Sequence, residues 1–242
     1  IQNVFEGVGA VSDGEMSPDE LDELERHACP GAGSCGGMFT ANTMASISEA
    51  LGLAPLGSAS PPAEDEERYA VAERAGELAM DCIENDRRPS DILSRESFEN
   101  AIAAQTAMGG STNAVLHLLA LAAEADVDLS IEDFDEISRR TPKIANLQPG
   151  GSRVMNDLHE VGGVPVVLRR LLEADLLHGD AMTVTGRTLA EEIAELEASG
   201  ALPDDDEIDA DFLYTVDDPK EPEGAIKILD GNLAPDGSVL KV

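Results

Sequence analysis

Apolar positions along this chain recur mostly at the spacing of a helix. Met38, Ala41, Met44, Ala45, Ile47, Ser48 and Leu51 fall on one face of a 3.6-residue repeat. Gly52 follows, the residue type that ends a helix in left-handed backbone. The same period predicts a long helix from about Glu64 to Asn85 with Ala, Val and Leu on one side. It predicts another from Ser94 to about Met108 and a very apolar one from Asn113 to about Ala125. Ser130 caps a further helix that ends before Thr141-Pro142, and 155–177 reads as helix broken at Gly162-Gly163. Capping boxes mark two more starts. Ser17-Pro18-Asp19-Glu20, with Pro at the first helical position, opens a short acidic helix to about His27; Thr188-Leu189-Ala190-Glu191 opens one to about Ala198.

Strand-like texture is confined to a few places. A short strand is predicted at Thr183–Thr185. Residues 225–229 alternate and 238–242 read as a second strand, joined by a turn over Asn232-Leu233-Ala234-Pro235-Asp236-Gly237. Segments 28–37 and 54–62 are rich in Gly, Pro and Ser and read as loops, and the acidic run 202–211 reads as a linker or surface loop. The pattern predicts an α/β protein with a boundary near 202–222: a mainly helical domain over 1–205, then a linker and the first strands of a second domain over 206–242. That second unit has barely begun at Val242, and the chain opens on Ile1 rather than Met, so the expectation is a piece of a longer protein.

Composition narrows the function classes. The chain has 242 residues, 42% of them hydrophobic, with 3% aromatics and no Trp, so its core must be built from Ala, Leu and Val. Asp and Glu number 49 against 16 Lys and Arg, a net charge of −33. Nucleic acid and anionic membrane surfaces are poor partners for such a chain, because both are bound through cationic side chains. The longest apolar run, Ala114 to Ala123, has a His inside and falls far short of the ~20 residues needed to span a bilayer. The acid excess suits concentrated salt: at ~1 M the Debye length is about 3 Å and surface carboxylates barely repel one another. The expectation is a halophilic protein of a salt-accumulating cytoplasm.

Cysteine usage points to chemistry rather than crosslinking. Cys29, Cys35 and Cys82 are an odd, sparse set for a disulfide scaffold. Cys35 precedes Gly36-Gly37 at the start of a helix, where free N–H groups and the helix dipole favour a thiolate and glycines let the backbone approach a bulky group. A metal cluster, a reactive thiolate, a bound anion, or simply a small residue in a Gly-rich turn all fit that setting. The Cys29–Cys35 spacing is not that of a self-contained cluster, and three cysteines cannot supply four ligands. An electron-carrier reading therefore fails, and a purely acidic interaction protein leaves the Cys-Gly segment unexplained. Gly109-Gly110-Ser111-Thr112-Asn113 reads either as an anion-binding nest or as a tight helix–helix turn with Ser111 as a cap, the second being preferred. His117 reads as a core histidine and His27 as a cation at a helix C-terminus. His178 reads as a surface residue, and nothing local completes a site around His159.

The segment 28–52, with Cys-Pro-Gly-Ala-Gly-Ser-Cys-Gly-Gly-Met-Phe-Thr-Ala-Asn-Thr-Met at its head, resembles a signature of the dihydroxy-acid and phosphogluconate dehydratase family. Met108–Leu118, Asp157–Val164 and Gly231–Pro235 resemble further family segments in the expected order, so the resemblance covers essentially the whole chain. It implies the second half of a layered α/β N-terminal domain followed by the start of a C-terminal β-barrel-like domain. It also implies a hydro-lyase that converts 2,3-dihydroxy-3-methyl carboxylic acids to 2-oxo acids in valine and isoleucine biosynthesis. Sugar-acid or 6-phosphogluconate dehydration is the alternative. By resemblance Cys35 is one ligand of an iron–sulfur cluster, 2Fe-2S rather than 4Fe-4S, and Cys29 is not the expected ligand. Cys82 matches no family site and reads as a buried core thiol. Mg2+, the remaining cluster cysteines and a catalytic serine belong in the family to segments outside this chain. The implied partners are a small dihydroxy acid and a second copy in a homodimer, and the fragment alone is expected to be inactive.

Overall fold

The computed structural model describes residues 2–28, 36–209 and 211–242. Eleven α-helices lie among them: α1 Gln2–Ser12, α2 Pro18–His27, α3 Thr40–Ala50, α4 Glu67–Glu84, α5 Pro89–Ile92, α6 Arg95–Ala107, α7 Asn113–Glu124, α8 Ile131–Arg140, α9 Met155–Glu160, α10 Val164–Glu173 and α11 Leu189–Ala198. A 3-10 turn, Asp205–Glu207, precedes the antiparallel pair β1 Ile226–Gly231 and β2 Ala234–Lys241.

Helix α6 is the axis of the core. From Ser97 to Ala107 nearly every residue is buried, the polar Ser97, Asn100, Gln105 and Thr106 included. Ala101, Ala103, Ala104 and Ala107 let neighbouring backbones approach, and α3, α7, α8 and α10 pack around it. Several of its buried polar groups are paired, whereas Gln105 Oε1 has no hydrogen-bond partner among the described residues. Asn100 exchanges two hydrogen bonds with the backbone of His178 (3.0 and 2.7 Å), and the Thr106 and Ser138 hydroxyls share one at 2.7 Å. The hairpin closes on this axis through Ala225 N–H to the Thr106 carbonyl (3.1 Å) and Gly224 N–H to the Ser138 carbonyl (2.8 Å). Its register pairs Ile226 with Lys241 and Ile228 with Val239.

The predicted helices from Ser17, Met38, Ser94, Asn113, Ser130, 155 and Thr188 all form, within a few residues of their expected bounds. Both capping boxes close, Ser17 with Glu20 and Thr188 with Glu191. The differences have local causes. Thr183–Thr185 is a tight turn instead of a strand: Gly186 takes φ +81°, and the Thr183 and Thr185 hydroxyls both donate to the Glu192 carboxylate. The helices α1 and α5 were not foreseen. Helix α4 starts at Glu67, later than Glu64, and buries none of its residues, with Tyr69, Met80 and Ile83 exposed. The turn of the hairpin is shorter than expected, because pairing already resumes at Ala234. In the acidic run, Leu202 and Ile208 are buried, and Asp205 accepts from the buried guanidiniums of Arg169 (2.8 Å) and Arg170 (3.0 Å).

One buried carboxyl sets a pH dependence. Glu49, at the end of α3, is 0% exposed and accepts the Gly57 N–H (2.9 Å) and the Ala59 N–H (2.7 Å). Burial pushes it up to about 8, against the lowering effect of those two N–H groups and with a small further push from Glu192. The folded state therefore holds a proton that the unfolded chain has already lost. The stabilisation from Glu49 is complete below pH 4.5 and is lost as pH rises toward about 8. Urea midpoints across that interval are expected to fall with pH, and more steeply in the parent protein than in Glu49→Gln. Equal slopes in the two proteins would contradict this assignment.

Candidate functional site

The start of α3 is held from two directions. On one side, Met38 N–H donates to the Gln148 carbonyl at 2.7 Å, and Gly37 lies so close that a Cβ there would sit 2.6 Å from the same oxygen. Only glycine permits that approach. On the other side lies the turn 109–113. The Thr40 hydroxyl receives a hydrogen bond from Asn113 Nδ2 at 2.7 Å and shares one with the Ser111 hydroxyl at 3.2 Å. Ser111 N–H donates to Thr43 Oγ1 (2.9 Å), and Gln105 Nε2 donates to the Ser111 carbonyl (3.0 Å). A Cβ on Gly110 would meet both Gln105 and Thr43 within 2.9 Å, so this glycine is required by the contact itself. Gly109 takes φ +69°, which turns the chain from α6 into α7.

Within the turn, Ser111 Oγ accepts the Asn113 N–H (3.2 Å), while Thr112 is the residue flanking α7 and makes no side-chain cap. The start of α3 is likewise uncapped: Phe39 offers no acceptor, although Asn42 Nδ2 reaches back to the Gly37 carbonyl at 2.8 Å. Among the described residues no atom comes within 4 Å of where a Cβ on Gly36 would stand. Cys29 and Cys35 lie outside the described residues, immediately before this point.

Positive charge gathers nearby. Lys143 is buried, its ammonium donating to Glu221 Oε1 (2.6 Å) and to the Val242 carbonyl (3.4 Å), and it lies against Gly109 and Gly150. Lys241 is pushed down to about 8, first by burial and then by the Lys143 charge. The ammonium of Lys143 is thus taken up by Glu221 rather than left free for a phosphate.

The histidines are dispersed. His117 is on α7, His27 ends α2 with Nδ1 2.9 Å from the Glu23 carbonyl, and His178 lies 2.8 Å from Glu99. His159 stands between Ser60 (3.4 Å) and Glu67 (3.5 Å), away from α3's start. Cys82 is half-buried on α4, its thiol 3.5 Å from the Val184 carbonyl. Among the described residues no three His, Cys, Asp or Glu side chains come together as a metal site. The described part of this region is an uncapped helix start, with Cys35 just upstream of it in the sequence. Thr40, Thr43, Gln105 and Gln148 were not singled out by sequence reasoning. The available signal was Thr40 and Thr43, three apart and so on one face at the head of the helix.

Comparison with known proteins follows this geometry. Residues 1–192 match the family described as dihydroxy-acid/6-phosphogluconate dehydratase N-terminal. The chain belongs to that family. It is 80% identical over 242 residues to the dihydroxy-acid dehydratase of Natronomonas pharaonis, covering all of this chain and 41% of the relative. Identity is 73% over 242 residues to that of Haloarcula marismortui, again 41% of its length, and 51% over 243 residues to that of a Roseiflexus species, 42% of its length. The chain thus spans about two fifths of the curated relatives it matches. The family match ends at residue 192, after which the 3-10 turn and the hairpin complete this dehydratase-family chain. No described helix is long and apolar enough to cross a membrane.

Proposed function

We propose that this chain is the cluster-bearing part of a dihydroxy-acid dehydratase, a hydro-lyase that converts 2,3-dihydroxy-3-methyl carboxylic acids to 2-oxo acids in branched-chain amino-acid biosynthesis. The observation that carries the reading is the two-sided clamp on α3's start, which ties Met38 to Gln148 and Thr40 to Ser111 and Asn113 just downstream of Cys35 in the sequence. Cys35 would give one thiolate to an iron–sulfur cluster, 2Fe-2S in preference to 4Fe-4S, with Mg2+ in the full-length protein. Such groups supply Lewis acidity toward the leaving 3-hydroxyl and charge for the substrate carboxylate. The chain's own part is orientation. The first-turn N–H groups of α3 favour negative charge at the helix start. Thr40 and Thr43 tie that turn to Ser111 and Asn113.

We further place a division at 205–206, with 206–242 opening a β-barrel-like domain, and a homodimer of the full-length protein in the cytoplasm. The net charge of −33 supports a medium of concentrated salt. Sugar-acid or 6-phosphogluconate dehydration ranks second, because the one buried ammonium near the turn is occupied by Glu221.

The test is turnover by the intact protein in molar KCl, with 2,3-dihydroxy-3-methylbutanoate and 6-phosphogluconate compared for 2-oxo acid formed. Preference for the branched substrate is expected, with activity and fold lost in dilute buffer. Faster dehydration of phosphogluconate would reverse the ranking, and full stability in dilute buffer would remove the salt argument.

A further inference from the structure

A built recess lies at the C-terminal end of α3. Helix α3 is roughly 16 Å long, and at its far end the loop 55–60, α4, α9, α10 and α11 enclose a cleft of about 450 Å3, within the ~300–1,000 Å3 range of small-molecule pockets. The proposed dehydration leaves this cleft without a role.

Its wall is fixed rather than loose. The loop is gripped from the core by Glu49, which accepts from Gly57 (2.9 Å) and Ala59 (2.7 Å). From α4 it is gripped by the Arg68 guanidinium, which donates to the Ser58 carbonyl (2.9 Å) and the Ala59 carbonyl (3.3 Å). Ser60 is buried against Gly163, where a Cβ would stand 2.4 Å from its hydroxyl. Leu56, Val71, Leu196 and Leu202 supply apolar lining.

The charges in the lining are almost all spoken for. Arg187 pairs with Glu195, Glu192 takes the hydroxyls of Thr183 and Thr185, and His159 stands between Ser60 and Glu67. Arg74 is the exception. Among the described residues it is the one arginine with no hydrogen-bond or ion-pair partner. In a chain of net charge −33, where carboxylates outnumber cations threefold, an arginine left unpaired at the mouth of a cleft is a cation reserved for something else. A planar guanidinium suits a carboxylate in bidentate geometry.

We propose that this cleft binds a small aliphatic monocarboxylate, its carboxylate on Arg74 and its short apolar body against Leu56, Val71, Leu196 and Leu202. Because the cleft is gripped through Glu49 at the end of α3, an occupant would bear on the same helix whose start the proposed function requires to be fixed. The site itself does not depend on that function.

The test is ligand-observed NMR on the intact protein, at a salt concentration that keeps it folded, with isovalerate as probe and isopentanol as the uncharged control. Measurements are made in the Cys35→Ser background, so that a cluster-dependent active site does not contribute. Saturable isovalerate binding is expected, with isopentanol at least ~10-fold weaker. Arg74→Gln should weaken isovalerate at least ~10-fold, Arg74→Lys should restore most of it, and neither change should alter the thermal midpoint, since Arg74 supports no internal contact. Absence of binding, equal binding of the alcohol, or unchanged binding in Arg74→Gln would each overturn the proposal. Binding seen here without branched-chain dehydratase turnover would leave the cleft standing and remove only the proposed function.

Discussion

Replacing Cys35 with serine in the intact protein is expected to strip most of the iron and sulfide and to take dehydratase activity below detection. A serine hydroxyl remains protonated at neutral pH and offers a hard oxygen, whereas an iron–sulfur cluster is held by soft thiolates. In the proposed arrangement Cys35 is this chain's thiolate to the cluster, and a serine in its place removes that ligand. The fold should persist, because the frame around α3's start is made by Thr40, Thr43, Ser111 and Gln148. Iron and sulfide analysis, the visible charge-transfer absorption and far-UV circular dichroism would be read on Cys35→Ser, Cys29→Ser and Cys82→Ser. Cys82 lies on α4 with its thiol turned to the Val184 carbonyl, so its replacement should leave the iron in place. Full iron content in Cys35→Ser would refute the ligand assignment.

The second large effect is structural. Gly224→Val is expected to destabilise the protein by at least about 3 kcal/mol, a fall in Tm of roughly 6–12 °C for a domain of this size. A Cβ at 224 would stand 1.9 Å from Thr106 Oγ1 and 2.6 Å from Ser138 Oγ. Neither obstacle can move cheaply, because the two hydroxyls are bonded to each other at 2.7 Å in the middle of the α6–α8 contact. Relief requires the hairpin to lift away. That would break the Gly224 N–H bond to the Ser138 carbonyl and the Ala225 N–H bond to the Thr106 carbonyl, and would uncover Ile226. Gly224→Ala should cost less in a Thr106→Ala background than in the parent, and strict additivity of the two changes would argue against this contact.

Much of the helical skeleton was legible in order. Ser17 with Glu20 and Thr188 with Glu191 announce helix starts through local hydrogen bonds that need no distant partner, and both boxes form as read. Gly52 ends α3 at φ +77°, again a property of one residue. Where the reading missed, the deciding partner was remote. Thr183–Thr185 has the residue preferences of a strand, but its hydroxyls are claimed by Glu192, seven to nine residues on. The acidic composition of 202–211 suggested solvent, yet Asp205 meets Arg169 and Arg170 from another helix. Helix α4 has an apolar pattern that predicted a buried side, and it buries no residue.

The candidate site divides in the same way. The sequence by itself determined that a Cys-Gly segment leads into a helix, that a Gly-Gly-Ser-Thr-Asn turn separates two others, and that the family is that of the dehydratases. These are local patterns, carried by backbone freedom at glycine and by residue order. Only the tertiary structure decided that the turn and the helix start meet. Thr40 and Asn113 are 73 positions apart and bond at 2.7 Å, a contact that exists because α6 and α3 pack closely enough to exclude any Cβ at Gly110. The cleft beyond Glu49 is likewise a product of packing. Nothing in the local sequence around Arg74 distinguishes it from the other arginines until the partners that surround them are in place.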